Sequence, residues 1–501
     1  MEDKLSKRYL VKLLANLVST SVGVGIIAIV PSALGPILYG KFVYIKKLFS
    51  NIFGFLDMGS SIAFFTKLSA KPSRVELIQF YSVISGIILS IAALGLLFIN
   101  LIGLTDILIP NIPLYYAWLG LLFSFLTWFS VIFIKVADAY AFTLPVEGIK
   151  IGYKLSSFAI LLFLIFTDVL DLEGYLYFQV ATLSFYILGL YIFLRNKNIL
   201  RFDDKPLTKL TFRNLFLEFK QFCSPLVIHS IVVILVNVFD LWFLQTVSGT
   251  EETGYYGLSF QIAAIGFMVT NAMTPIITRE FSKFYELKNF NEIKRLYSTY
   301  IPMFFSMAII FAVFMLYQAS NLLYVFTDER FENAKYATIL MSFFFAYQVI
   351  TKLIGTLLFT FHKTKEYRNV GIKYMLIGII LTFVFIFFLD LGATGLAIKM
   401  LLSQILGAVL IMFIACGLID ISFIGQIKHQ IKVLFSFMGL GYITYLIVAK
   451  IVDPVYNVMC YSIVYFLLLL VTVFLIPSLF SIRKEQLSLI VSKLINGHVS
   501  K

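Results

Sequence analysis

Apolar runs of roughly 20 residues follow one another from Leu10 to Leu479, and they leave this chain one kind of fold. A helix rising 1.5 Å per residue needs about 20 residues to cross a hydrocarbon core of about 30 Å. In lipid the backbone must satisfy its own N–H and C=O groups, which a helix does within one segment. Fourteen such helices are expected, at 12–33, 39–66, 77–102, 113–135, 151–168, 174–194, 222–246, 253–279, 299–319, 337–361, 371–390, 393–418, 432–451 and 456–479. Of the 501 residues 60% are hydrophobic and 13% charged, against about 25% charged in soluble domains. The expectation is an all-α polytopic membrane protein with no residues left for a soluble domain.

The N-terminal segment has a basic start, but its apolar part is too long for a signal-peptide core, so it is expected to remain as the first helix. Cys223, Cys416 and Cys460 are far apart and lie in or beside apolar runs, which suggests neither a disulfide framework nor a metal cluster. No cofactor is expected.

Lys and Arg sort between alternate loops, and cytoplasmic loops are the ones that retain positive charge. With the N-terminus inside, 32 of the 40 basic residues fall in inside segments, 3 fall outside (Arg330, Lys335, Lys450) and 5 lie within spans. Both termini are therefore expected to be cytoplasmic. The net charge of +13 is spread over many cytoplasmic loops, where it faces an anionic leaflet. No basic stripe with interleaved aromatics of the kind that binds nucleic acid is present.

The polar segment Arg195–Lys220 carries seven Lys and Arg and is the expected boundary between two halves. Tyr39-Gly40 in the second helix aligns with Tyr256-Gly257 in the eighth, six helices later, so the halves would run in the same direction. Parallel repeats of this kind occur in transporters, with the substrate path between the bundles. The expected domains are bundles 1–194 and 222–418, the connecting loop 195–221, and two added helices with a tail in 419–501.

The G-P-x-x-Y-G pattern at Gly35–Gly40, the D-M-G at Asp57–Gly59, Asp240 followed by G-Y-Y-G at Gly254–Gly257, and P-I-I-T-R-E at Pro275–Glu280 resemble a known family. It is the polysaccharide-export branch of the multidrug/oligosaccharidyl-lipid/polysaccharide exporter superfamily, and within it the Wzx-type O-antigen flippases. The resemblance implies two pseudo-symmetric bundles in a V. It also implies movement of undecaprenyl-pyrophosphate-linked sugar units across a bacterial inner membrane, for lipopolysaccharide or a related surface polysaccharide. The implied partners are that lipid-linked glycan, membrane lipids, a proton or sodium ion, and polysaccharide polymerase machinery.

The charges within the spans carry the functional reading. At 100° per residue, with Lys46 at the origin, Asp57, Ser50, Gly54, Lys47 and Asn51 form one polar arc on the second span. Phe42, Ile45, Phe49, Ile52, Phe53 and Leu56 lie on the other side, and Lys41 goes with them near the outer end. The Lys41 stem is long enough to carry its ammonium to the headgroups. An ionised lysine near the bilayer centre costs about 2.5–3.5 kcal/mol even on lenient scales, so Lys46 and Lys47 require a wet cavity or a partner. Lys352 and Lys399 add cations in the second half, each with a cavity role or a helix-pairing role open to it. Lys46, Lys47, Lys352 and Lys399 are thus the expected cationic lining, and Asp57, Asp240 and His229 are candidates for ion coupling or structural charge. His229 carries the side chain whose ordinary pKa lies near neutrality.

Four lysines against two aspartates favour an anion over an organic cation as the transported species. No G-x-x-x-x-G-K-[ST] loop and no H-E-x-x-H occurs, so the expected activity is movement without chemistry on the substrate. The resemblance implies an alternating rocking of the two bundles. A flippase of the lipid-linked peptidoglycan precursor and a multidrug-extrusion cation antiporter are the competing readings.

Overall fold

The computed structural model describes residues 5–57, 60–70, 75–140, 142–167, 169–200 and 208–481. The described residues form helices and turns without a strand. They belong to two compact units, Met1–Gly254 and Tyr255–Lys501. The first contains α1 (Leu5–Asp57), α2 (Ser60–Ala70), α3 (Val75–Leu101), the single turn α4 (Thr105–Leu108), α5 (Leu114–Ala139), α6 (Thr143–Phe166), α7 (Leu172–Asn196) and α8 (Lys209–Val247). α9 (Gly249–Ile265) starts in the first unit and ends in the second. The second continues with α10 (Met268–Glu286), α11 (Phe290–Phe326), α12 (Lys335–Thr360), α13 (Thr364–Thr382), α14 (Gly392–Leu418), α15 (Phe423–Val448) and α16 (Pro454–Leu475).

Among the described residues, eleven helices are long and apolar enough to cross a membrane, and the chain is a multi-pass membrane protein. The expected 253–279 span is divided at Gly266 and Phe267 into α9 and α10, and the described parts of the 39–66 span lie in α1 up to Asp57 and in α2 from Ser60. In α1 the break between the first two expected spans is Gly35, at φ 71° and ψ 166°. Glycine reaches positive φ without a Cβ clash, and the next residue, Pro36, suits the first turn of a new limb because its missing N–H would have no partner there.

Other boundaries move outward from the apolar runs. α6 starts at Thr143, eight residues before the expected 151, and α8, α11 and α15 also begin earlier than hydropathy alone indicates. Thr208 caps α8, Asn289 caps α11 and Asp453 caps α16, each accepting a backbone N–H from the first turn.

In the first unit α5 packs against α1, α2 and α7, and α1 also packs against α6 and α8. Glycine permits two close crossings. A Cβ on Gly120 of α5 would meet the Ile45 side chain at 1.7 Å, and one on Gly40 would meet the Thr250 carbonyl oxygen at 1.8 Å. Gly254 is equally tight, with the Pro36 carbonyl oxygen 2.2 Å from where its Cβ would stand. The motif stretch Gly35–Gly40 and Gly254, the first residue of the G-Y-Y-G motif, thus meet backbone to backbone.

In the second unit α12 is central, packed against α10, α11 and α14, with α13 on α14. Hydroxyl-to-backbone bonds tie α15 and α16 to α11 and to each other. The Tyr317 hydroxyl donates to the Met438 carbonyl at 3.2 Å, Tyr461 to Gly441 at 3.1 Å and Tyr465 to Ile310 at 3.2 Å. Gln318, fully buried, donates to Asn457 at 3.1 Å. Such bonds tie helices together in lipid, where apolar surface alone gives little preference for a partner helix.

Candidate functional site

The second limb of α1 buries one side and leaves the other open, as the helical arc anticipates. Phe42, Ile45, Phe49 and Phe53 are each at most 3% exposed. Phe42 meets Tyr175 of α7 edge-on at 4.9 Å, and Phe53 lies 5.7 Å from Phe125 of α5. Those contacts fix the rotation of the limb about its axis. Ser50 and Gly54 are consequently exposed, with Lys46, Lys47, Asn51 and Asp57 half-buried.

Lys46 Nζ lies 5.6 Å from the centre of the Phe42 ring, a cation–π contact that partly offsets lost hydration. α6 brings Lys154 close enough for its charge to act on Lys46, and Lys150, one turn earlier, acts on Lys154. Lys150 Nζ donates to Glu147 Oε2 at 3.1 Å, and Glu147 is 2% exposed. The charge of Asp240 on α8, 5% exposed, acts on Lys47. The first unit therefore holds a run of charge in the order Glu147, Lys150, Lys154, Lys46, Lys47, Asp240. Four lysines are set against two carboxylates.

Glu147 and Lys150 are absent from the expected lining because the stretch before residue 151 reads as a loop, and Lys154, in the first turn of the expected 151–168 span, is counted with that inside loop. The signal that would have found them is Pro145, since proline is tolerated in the first turn of a helix and not beyond it. With the helix starting at Thr143, both lysines lie within the candidate span Leu144–Phe166. Two of the basic residues counted in that inside loop accordingly belong to a span.

Asp57 has a structural post. Its carboxylate accepts from Ser60 Oγ at 3.0 Å, from Ser61 N and Ser61 Oγ at 2.9 Å each, and from the Tyr81 hydroxyl of α3 at 3.0 Å. Lys135 of α5 donates to Ser61 Oγ at 2.7 Å, which closes the network. Asp57 caps α2 and joins three other helices to it. Asp57→Ala is expected to remove about 2–4 kcal/mol, combining a lost cap with buried hydroxyls left unsatisfied. Thermal melting in detergent measures this, and Asp57→Asn, which retains an acceptor, is expected to lose less. A melting point unchanged in Asp57→Ala would refute the capping role.

The second unit places its two lysines differently. Lys352 Nζ lies 4.9 Å from the centre of the Phe267 ring, at the break between α9 and α10. Lys399 is 3% exposed and passes over Gly378 of α13, where an added Cβ would stand 2.8 Å from Lys399 Cε and 3.1 Å from Ser403 Oγ. That is the helix-pairing position of the two open to Lys399. Next to it Gln404 Nε2 donates to Thr351 Oγ1 of α12 at 2.7 Å. Lys41 is half-buried at the Gly35 end of the limb. The side chain of His229 lies outside the described residues.

Among the described residues no group of three His, Cys, Asp or Glu is placed to hold a metal ion. An apolar cavity of about 440 Å³ lies elsewhere in the first unit, bordered by Phe64, Tyr81, Phe129, Phe133, Leu188 and Tyr191. The Ser82 and Ser85 hydroxyls at its wall donate to carbonyls of their own helix, so the cavity is no part of the charged run.

The sequence matches no protein-family model, and no curated protein matches it. Solved structures do. One described as the lipid II flippase MurJ in an inward closed conformation is 15% identical, with a TM-score of 0.64 over 93% of this chain and 98% of that one. An inward-facing multidrug resistance MATE family transporter of the MOP superfamily is 14% identical, with a TM-score of 0.59 over 81% and 94%. A mutant of the Vibrio cholerae MATE transporter VcmN is 14% identical, with a TM-score of 0.50 over 82% and 94%. The chain has the fold of the multidrug/oligosaccharidyl-lipid/polysaccharide exporter superfamily.

Proposed function

We propose that this protein is a flippase that carries an undecaprenyl-pyrophosphate-linked oligosaccharide, an O-antigen or related repeat unit, from the cytoplasmic to the outer face of a bacterial inner membrane by alternating access. The observation that carries the reading is the charged run of the first unit, in which Lys150, Lys154, Lys46 and Lys47 outnumber Glu147 and Asp240. A surplus of ammonium groups among apolar walls attracts a pyrophosphate, because the interaction of charges grows as the dielectric falls. An organic cation would be repelled by the same surplus, which weighs against the multidrug antiporter. Lys352 is proposed as a cation of the second unit's own lining, beside Phe267, and Lys399 is left out because it lies between α13 and α14.

A flippase of lipid II, a pyrophosphate lipid too, is the second reading, favoured by the similarity to MurJ over nearly the whole chain. Deletion of the gene in its native bacterium separates the readings. The O-antigen reading expects loss of surface glycan with accumulation of undecaprenyl-linked sugars inside, and continued growth. Arrested wall synthesis with intact surface glycan would support the lipid II flippase, and raised drug sensitivity with normal glycan would overturn both.

A further inference from the structure

The charged run contains its own anions, placed in a way that repulsion among lysines does not require. Glu147 is among the most buried carboxylates described, and its partner is Lys150, one turn away on the same helix. Lys150 and Lys154 are about 6 Å apart along α6, which is on the scale of a pyrophosphate group. A buried carboxylate bonded to a lysine competes directly with any phosphate oxygen seeking the same ammonium hydrogens.

We infer that Glu147 is an exchange partner for the transported anion. It holds Lys150 while no headgroup is present, yields it to the phosphate as the headgroup arrives, and takes it back as the headgroup departs. The inference rests on the pyrophosphate reading above. It makes Glu147 a positioning residue that sets release. Without it Lys150 would keep the anion, because an ammonium with no competing carboxylate leaves the phosphate with no replacement partner.

The test uses the full chain in nanodiscs of zwitterionic lipid, with farnesyl pyrophosphate as the probe, alongside surface-glycan export in cells. Glu147→Gln is expected to bind the probe about tenfold more tightly, with slower dissociation, and to export glycan more slowly. Glu147→Asp should retain wild-type behaviour. Lys150→Gln should bind about tenfold more weakly, and Glu147→Gln/Lys150→Gln should match Lys150→Gln, because a carboxylate with no lysine to hold has nothing to compete for. The double variant also leaves no charge of the pair unpartnered, so it reports even where a single variant is poorly folded. Binding of the probe to wild type with unchanged or weaker binding in Glu147→Gln sinks the exchange and leaves the pyrophosphate reading standing. Failure of wild type to bind the probe removes both.

Discussion

Gly40→Val is expected to yield almost no folded protein in detergent, and Gly40→Ala to lower stability by about 3 kcal/mol or more, the upper end of what overpacking costs. An added Cβ would stand 1.8 Å from the Thr250 carbonyl oxygen and 2.9 Å from Gly254 N. Both obstacles are backbone, so no side chain can rotate aside and the segments must separate. Gly254→Ala should do similar damage from the other side, against the Pro36 carbonyl. Because the two substitutions strain one contact, their double variant should lose less than the total of the singles. Gly54→Ala is the control: it lies on the same limb with nothing within 4 Å of the added carbon, and should change stability by no more than about 0.5 kcal/mol. Size-exclusion profiles and thermal melts of these variants decide the matter. A normal melt for Gly40→Ala would mean that the helix crossing is not as close as described.

Loss of export without loss of protein is the expected phenotype of Lys154→Ala and Lys46→Ala. A hydrogen bond to a charged group contributes about 1.5–3 kcal/mol, so each variant should slow export by about tenfold or more if the contact is made to the moving anion. Lys352→Ala should impair export as well. Lys41→Ala, at the far end of the limb, should do little, and Lys154→Arg should retain most of the activity because it keeps the charge. Membrane abundance and surface glycan, measured together, separate transport from folding. Equal losses in Lys41, Lys46 and Lys154 variants would defeat the distinction between an anchor and a path.

The wheel of the second limb is legible in the sequence because a helix fixes its own angular relations, and Phe42, Ile45, Phe49 and Phe53 are buried together as those angles require. Rotation is readable; partners are not. Asp57 finds Tyr81, 24 residues away, and Lys135 joins through Ser61, 74 residues away, distances over which no periodicity carries information. Glu147 and Lys150 of α6 escape for a different reason: they depress local hydropathy until the start of the helix looks like a loop, and only Pro145 marks it. The Tyr-Gly at Tyr39-Gly40 is visible as a motif and suggests repetition. Its physical work is a close crossing with Thr250 and Gly254, which a one-dimensional alignment has no means of expressing.

The tyrosine bonds that hold α15 and α16 to α11 have a use in measuring motion. The Tyr317 and Tyr465 hydroxyls and the Gln318–Asn457 bond couple the last helix pair to α11 at several heights, and Tyr461 ties the pair together, so the pair can serve as a lever arm on α11. The turn between α15 and α16 carries Val452, 92% exposed and remote in sequence from every charged residue of the run. A spin label or fluorophore on a cysteine at that position would read displacements of α11 from the end of the lever, leaving the charged run untouched.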